Sequence, residues 1–141
     1  MEFTGNLRIG RGTAIGSFTK VKTADGPLTI GARVSVATGC SILSGARGIT
    51  IGDDTLIGPN VAIVASSYRF DRLDRPIRTQ EVVSKGIVIG RDVWIGAGCV
   101  VRDGAVIGDG CIVAPGAVVA GRLPPGSVCE GNPARPVFTR R

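Results

Sequence analysis

The sequence predicts an all-β fold, a solenoid of short parallel strands wound into triangular coils, and three observations carry that reading. Ile or Val recurs every six residues in five blocks. The residue after each such slot is usually Gly or Ala, as in Ile57-Gly58 and Val113-Ala114. Composition agrees: hydrophobic residues make up 43% of the 141 positions and aromatic residues 4%, so aliphatics must fill the interior that Phe, Tyr and Trp fill in ordinary cores.

Taken in chain order, the first block is Ile9, Ile15 and Val21, the second Ile30, Val36 and Ile42, and the third Ile51, Ile57 and Ile63. After a long interruption come Ile89, Ile95 and Val101, then Ile107, Val113 and Val119. Six residues suit one short strand plus a corner, and three such units close a coil whose strands pair with the next coil about 4.8 Å away. The starts at 89 and 107 are 18 apart, one coil; those at 9, 30 and 51 are 21 apart, one coil plus three; and 51 to 89 is 38, one coil plus twenty. Every insertion therefore leaves from the same corner, which predicts about five stacked coils with their decorations on one edge. A β-sandwich would instead alternate with a period of two and turn irregularly.

Four positions after a slot stand compact residues: Thr13, Val34, Cys40, Thr55, Val61, Val93, Cys99, Ala105, Cys111 and Ala117. Cys40, Cys99 and Cys111 thus read as small inward-facing hydrophobes. With Cys129 they show no CxxC, zinc or disulfide spacing. The length suits one domain over 1–141, with a loop arm at 65–86 and a C-terminal tail at 122–141. A formal charge of +6 favours anionic partners. Nucleic acid is not expected among them, because the arginines are scattered with few aromatics between them to stack on bases. No apolar run reaches the length of a membrane span, and the start from Met1 to Arg11 is polar and glycine-rich, unlike a signal peptide. The expected location is the cytoplasm.

The Ile-Gly-x-x-small-x pattern in sets of three resembles the hexapeptide-repeat acyltransferases over nearly the whole chain. Val93-Trp94-Ile95-Gly96, Pro124-Pro125-Gly126-Ser127 and Gly131-Asn132-Pro133-Ala134-Arg135 look like the sugar O-acetyltransferase branch, which holds the maltose, galactoside and polysaccharide acetyltransferases. The resemblance implies a left-handed parallel β-helix; spacing does not show the hand, and right-handed crossovers are the general rule. It further implies a homotrimer with active sites between neighbouring solenoids, acetyl-CoA as acyl donor along the C-terminal coils, and no metal. Trp94, Ala97, Ala114, Pro115, Asn132, Pro133 and Arg135 are the implied coenzyme-binding residues, with Arg135 and Arg122 offering guanidinium groups to phosphates. Arg140 and Arg141 read as a solvated tail. One departure stands out: where relatives offer a backbone N–H, Pro115 has none.

The arm carries an aromatic pair, Tyr68 and Phe70, among several charges, too polar for a prism interior. Long loops in compact domains are commonly functional. In the family this arm presents Asn-His, the His acting as general base. Counting from Pro59-Asn60 puts that His on Tyr68 and the Asn on Ser67, and the chain contains no histidine at all. Tyr68 and Asp71 are the candidate catalytic residues in its place. An ordinary phenol needs about three units of pKa lowering, roughly 4 kcal/mol, to be half ionised at neutral pH, and Arg69, Arg72 and Arg75 stand near to supply part of it. A carboxylate raised by burial is the other route, through Asp71 or Asp74. Ser67, Arg69 and Thr38 are the candidate acceptor-binding residues; Thr38, counted one coil below the arm, falls where relatives hold the acceptor with an Asn.

The expected function is acyl-CoA-dependent transfer, acetylating a sugar or a polysaccharide precursor. Two alternatives stand beside it. One is N-acylation of an amino sugar, whose neutral amine needs only proximity to the thioester; the other is a trimeric scaffold without activity. Carbonic anhydrases of the same solenoid class are excluded, because their zinc requires histidine ligands.

Overall fold

The computed structural model describes residues 6–141. Among them lie twenty short strands, one 3-10 turn at Ile77–Thr79 and no α-helix. Three parallel sheets form the faces of a triangular prism. The first face stacks Leu7–Ile9, Leu28–Ile30, Ile49–Ile51, Ile87–Ile89, Val106–Ile107 and Arg122–Leu123. The second stacks Ala14–Ile15, Ser35–Val36, Leu56–Ile57, Trp94–Ile95, Ile112–Val113 and Ser127–Gly131, and the third runs from Lys20–Lys22 through Ser41–Leu43, Ala62–Val64 and Val100–Arg102 to Val118–Val119.

The six-residue slots generate this register. Ile9, Ile30, Ile51, Ile89 and Ile107 pair directly, each above the last. Because side chains alternate across a strand, one slot residue per strand points inward. Thirteen of the fifteen slots are buried; Ile9 is 40% exposed and Ile15 half-buried, since no coil among the described residues lies beneath them. Restricted χ1 freedom makes Ile and Val efficient fillers of such a stacked column. The compact positions four after the slot complete the interior. Cys40, Cys99 and Cys111 are buried there, as is Cys129 one coil higher. Thr55, fully buried, donates to the Gly90 carbonyl (2.9 Å) and accepts from Val93 N–H (3.2 Å), so its polarity is satisfied between coils.

The corners use glycine for clearance as well as for conformation. The residue after the slot is Gly because coils approach too closely for a side chain: a Cβ on Gly52 would lie 2.6 Å from the Gly90 backbone. Positive φ falls three residues after the slot instead, at Phe18, Gly39, Asn60, Gly98 and Gly116 along the second corner.

All three insertions leave the prism at the third corner, between the third and first faces, as the spacing predicts. The stretch expected as a tail behaves otherwise. Arg122–Leu123 and Ser127–Gly131 continue the first and second faces, with Leu123 and Cys129 inside. Only four residues separate Val119 from Leu123 where six separate Val101 from Ile107, so the phase slips by two and the last turn escapes a strict count. The chain then doubles back as Ala134–Thr139, antiparallel to Ser127–Gly131, and closes the upper edge of the second face. Arg140 stays exposed, and its guanidinium donates to the Gly110 carbonyl at 2.8 Å.

Ile63→Ala should cost about 2–5 kcal/mol in urea unfolding, and Thr55→Val about 1–3 kcal/mol through its two lost hydrogen bonds. Ile9→Ala, already partly solvated, should cost clearly less than Ile63→Ala. Burial pushes the Cys40, Cys99 and Cys129 thiols up, so their neutral forms are favoured in the fold. That contribution is present below the ordinary thiol range and is lost as pH rises through the raised values. Native protein should therefore resist a thiol reagent that labels all four cysteines after unfolding, and its urea midpoint should fall on going to alkaline pH.

Candidate functional site

Strand alternation sends Leu56, Trp94 and Ile112 outward from the second face in a vertical row, Trp94 pairing with the other two. Trp94 is 54% exposed, more than a packed indole would be. Beside this row, where the second face meets the second corner, lies an apolar groove of about 360 Å³. It brings together Trp94, Ala97, Ala114 and Pro115, four of the residues implied as coenzyme contacts, and adds Gly58 and Pro59 from the coil below. Pro59 stands two after its slot, as do Ala97 and Pro115, so the sequence period itself marks it as a groove residue. Gly98 and Gly116 border this corner with open space where a side chain would begin.

Hydrogen bonds at the corner decide what the groove can offer. The Gly58, Gly96 and Ala114 N–H groups donate to the carbonyls of Ile95, Val113 and Cys129. Pro59 and Pro115 have no N–H. Of the corner residues lining the groove, that leaves the Ala97 amide without an acceptor in the protein. Asn132 and Pro133 form the tip of the C-terminal hairpin, and Arg135 follows on its return strand opposite Glu130. None of the three lines the groove, and Arg122 faces outward on the first face.

The arm rises from the third corner. Ser67–Tyr68 pairs antiparallel with Val82–Val83, and Gln80 pins the loop between them by donating to the carbonyls of Arg72 (2.9 Å) and Arg75 (3.1 Å). Its charges are largely engaged with one another. Arg69 pairs with Glu81 at 3.3 Å, Arg72 with Asp74, and Arg75 donates to the Thr79 carbonyl at 2.6 Å. The Arg72 guanidinium holds the Asp74 carboxyl below the usual range, which removes Asp74 as a base. Asp71 carries no ion pair and opens onto a shallow cavity with Arg69, Arg72 and Arg75. Tyr68 is half exposed, its hydroxyl without a protein partner.

Thr38 does not share the arm's corner. It lies on the second corner, in the column of Pro59, Ala97 and Pro115, and its hydroxyl donates to the Ser17 carbonyl at 2.6 Å. Within one prism a whole third-face strand separates it from Ser67, Tyr68 and Asp71, on the order of 10–15 Å.

Comparison with known proteins fits this architecture. The model for the bacterial transferase hexapeptide (six repeats) family matches residues 86–121. Nodulation protein L of Rhizobium meliloti is 44% identical over 110 residues, 77% of this chain and 57% of that protein, so the chain spans little more than half of this curated relative. A hexapeptide-repeat acetyltransferase of Vibrio cholerae, solved with acetyl-CoA, is 33% identical, covers 95% of this chain and 71% of its own, and superposes with a TM-score of 0.83. AntD, an N-acyltransferase from Bacillus cereus solved with dTDP-4-amino-4,6-dideoxyglucose and coenzyme A, superposes at 0.87 over 97% of this chain and 75% of its own. At 23% identity it shows the shared fold alone. By its six-residue slots, its three-faced prism and these matches, the chain belongs to the hexapeptide-repeat acyltransferases, left-handed parallel β-helices.

Proposed function

We propose that this chain transfers an acyl group, acetyl in the first instance, from coenzyme A to a sugar or a polysaccharide precursor, working as a homotrimer. The observation that carries the reading is the second-corner groove, which gathers Trp94, Ala97, Ala114 and Pro115 into one apolar channel. Its lining fits a thin pantetheine arm: Trp94 gives a flat wall, Gly98 and Gly116 leave clearance, and the Ala97 N–H is a donor awaiting an acceptor. Coenzyme A supplies the activated thioester. A sugar hydroxyl or amine would attack its carbonyl carbon, and the carbon–sulfur bond would break with coenzyme A leaving as a thiolate. The proton lost by the acceptor, taken by a base during attack for a hydroxyl and shed after attack for an amine, would end on that sulfur.

Assembly follows from the split of the site. Groove and arm sit on different corners of one prism, so the groove of one copy meets an arm only if a neighbouring copy brings it. Three prisms packed side by side would put three such pairings in three clefts.

For the base, Asp71 is the better of the two candidates, because Tyr68 has no partner to take its proton and Asp71 is the arm aspartate free of an ion pair. An unassisted carboxylate is a weak base toward a hydroxyl. An amino sugar, whose neutral amine attacks without prior deprotonation, is therefore the acceptor this arm serves best.

Acetyl-CoA binding, measured by calorimetry beside dephospho-coenzyme A, should be saturable and weaker without the 3′-phosphate. Complete failure to bind would favour the scaffold alternative. Ala97→Pro isolates the free amide, since the same corner already holds proline at 59 and 115; it should fold normally and bind acetyl-CoA about tenfold more weakly. Tyr68→His should raise O-acetylation of sugars if the arm faces an acceptor. Sedimentation should show three chains, and a monomer at micromolar concentration would refute the assembly.

A further inference from the structure

A second cleft, apart from the groove, opens at the root of the arm. It has a volume of about 180 Å³ and lies between the first arm residues, Ser66 and Ser67, the third-face strand Val100–Arg102, and Lys85, where the chain returns from the arm. What marks it is the state of its polar groups. Nearby serines have their hydroxyls engaged with backbone: Ser44 donates to Pro27 O at 2.6 Å and Ser84 to Ala65 O at 2.7 Å. The arm arginines 69, 72 and 75 are engaged as well. In the cleft, by contrast, the Ser66 and Ser67 hydroxyls, the Lys85 ammonium and the Arg102 guanidinium have no protein partner.

The cleft also holds Asp103, whose carboxylate has a different task. Its two oxygens accept from Lys85 N–H at 2.8 Å and Gly86 N–H at 2.9 Å. It thus fixes the backbone from which Lys85 projects, and the amides offset part of its charge. Gly104 helps as well: a side chain there would begin 3.3 Å from the Lys85 Cδ, so the bare glycine leaves room for the lysine stem. Two unpaired cations against one amide-bound carboxylate leave the cleft attractive to an anion.

We propose that this cleft is an anion subsite for the acceptor, in which Lys85, Arg102 and the two serine hydroxyls hold a phosphate ester carried by the sugar. The proposal rests on the acyl-transfer reading and narrows its substrate class from a free sugar to a phosphorylated one. A phosphate presents the oxygens that a guanidinium fork, an ammonium and hydroxyl donors match together. Within one prism the cleft belongs to the arm and not to the coenzyme groove, which makes the acceptor its source; a coenzyme phosphate brought by a neighbouring copy is the outcome that the acetyl-CoA affinities below test. Ser67 adjoins Tyr68 on the arm strand, whereas the groove lies at the second corner, across the third face.

The test compares glucose 1-phosphate with glucose on protein saturated with coenzyme A. The phosphate ester should bind at least about tenfold more tightly. The Lys85→Ala/Arg102→Ala variant should abolish that preference while its acetyl-CoA affinity changes by less than about twofold. Arg102→Gln alone, which keeps a polar side chain of similar reach, should lose most of the preference and guards against misfolding of the double variant. Equal binding of the two sugars, or a preference that survives in the variants, overturns the subsite. Parallel loss of acetyl-CoA affinity also overturns it, by assigning the cations to the coenzyme. Should acetyl-CoA not bind wild-type protein, acyl transfer fails by itself. Stabilisation by inorganic pyrophosphate then still reads the cleft: loss in Arg102→Gln supports an anion site, and retention refutes it.

Discussion

The inter-coil hydrogen-bond ladder is the interaction on which the rest of this protein depends. Before the C-terminal hairpin each described strand is only two or three residues long and has no stability alone. It becomes a sheet because the coil above presents the same backbone groups at the same height, as when Gly10 N–H, Gly31 N–H and Gly52 N–H reach the carbonyls of Ile30, Ile51 and Ile89 in succession. That ladder works only if successive coils approach closely. On the first two faces close approach leaves room only for Gly or Ala after the slot, and on all three it requires interior columns of constant width, which Ile and Val provide. The hexapeptide pattern is thus the chemical statement of one geometric demand.

The same demand decides where function can go. A residue inserted within a face would break the ladder on both sides, whereas a corner can expand without disturbing either neighbour. All three insertions use the third corner, leaving the second corner with its six-residue rhythm intact. A regular corner makes a straight groove, and an expanded corner makes an arm. One prism therefore places groove and arm rigidly on different corners, facing apart, and the proposed packing of copies is the economical way to join them. The two clefts inherit this division: the second-corner groove is apolar, while the arm-root cleft is lined by unpaired cations and hydroxyls.

Most of the fold was legible because the slots repeat. The phased Ile and Val residues, the buried cysteines and the common exit of the insertions all follow from counting. The C-terminal turn was not, since two residues are missing before Leu123, and Leu and Cys stand where Ile or Val would be. The return of Ala134–Thr139 as an antiparallel strand has no periodic signature; it answers an open sheet edge, a need visible only once the sheet exists. In the candidate site, Trp94, Ala97, Ala114 and Pro115 line one groove because the same corner recurs every coil. Thr38 lies one coil below the arm, as counted, but on another corner, because a linear count tracks height along the prism and not which corner a residue occupies. Pairings within the arm, such as Arg72 with Asp74, depend on a loop path that no repeat encodes.

The missing histidine acquires a physical meaning from these arrangements. A general base is needed only when the acceptor must lose a proton as it attacks, and the arm does not build a strong one: Asp74 is tied to Arg72, Glu81 to Arg69, Tyr68 has no partner to receive its proton, and Asp71 is an unassisted carboxylate. What the chain does maintain is positioning, through an open amide at Ala97, a channel beside Trp94 and the Gln80 bonds that hold the arm in shape. Positioning converts a bimolecular encounter into a local one and can replace several kcal/mol of barrier without any proton transfer. A site that keeps its placement devices while lacking a strong base is coherent for a nucleophile that is already competent when neutral, and an amine meets that condition where a sugar hydroxyl does not.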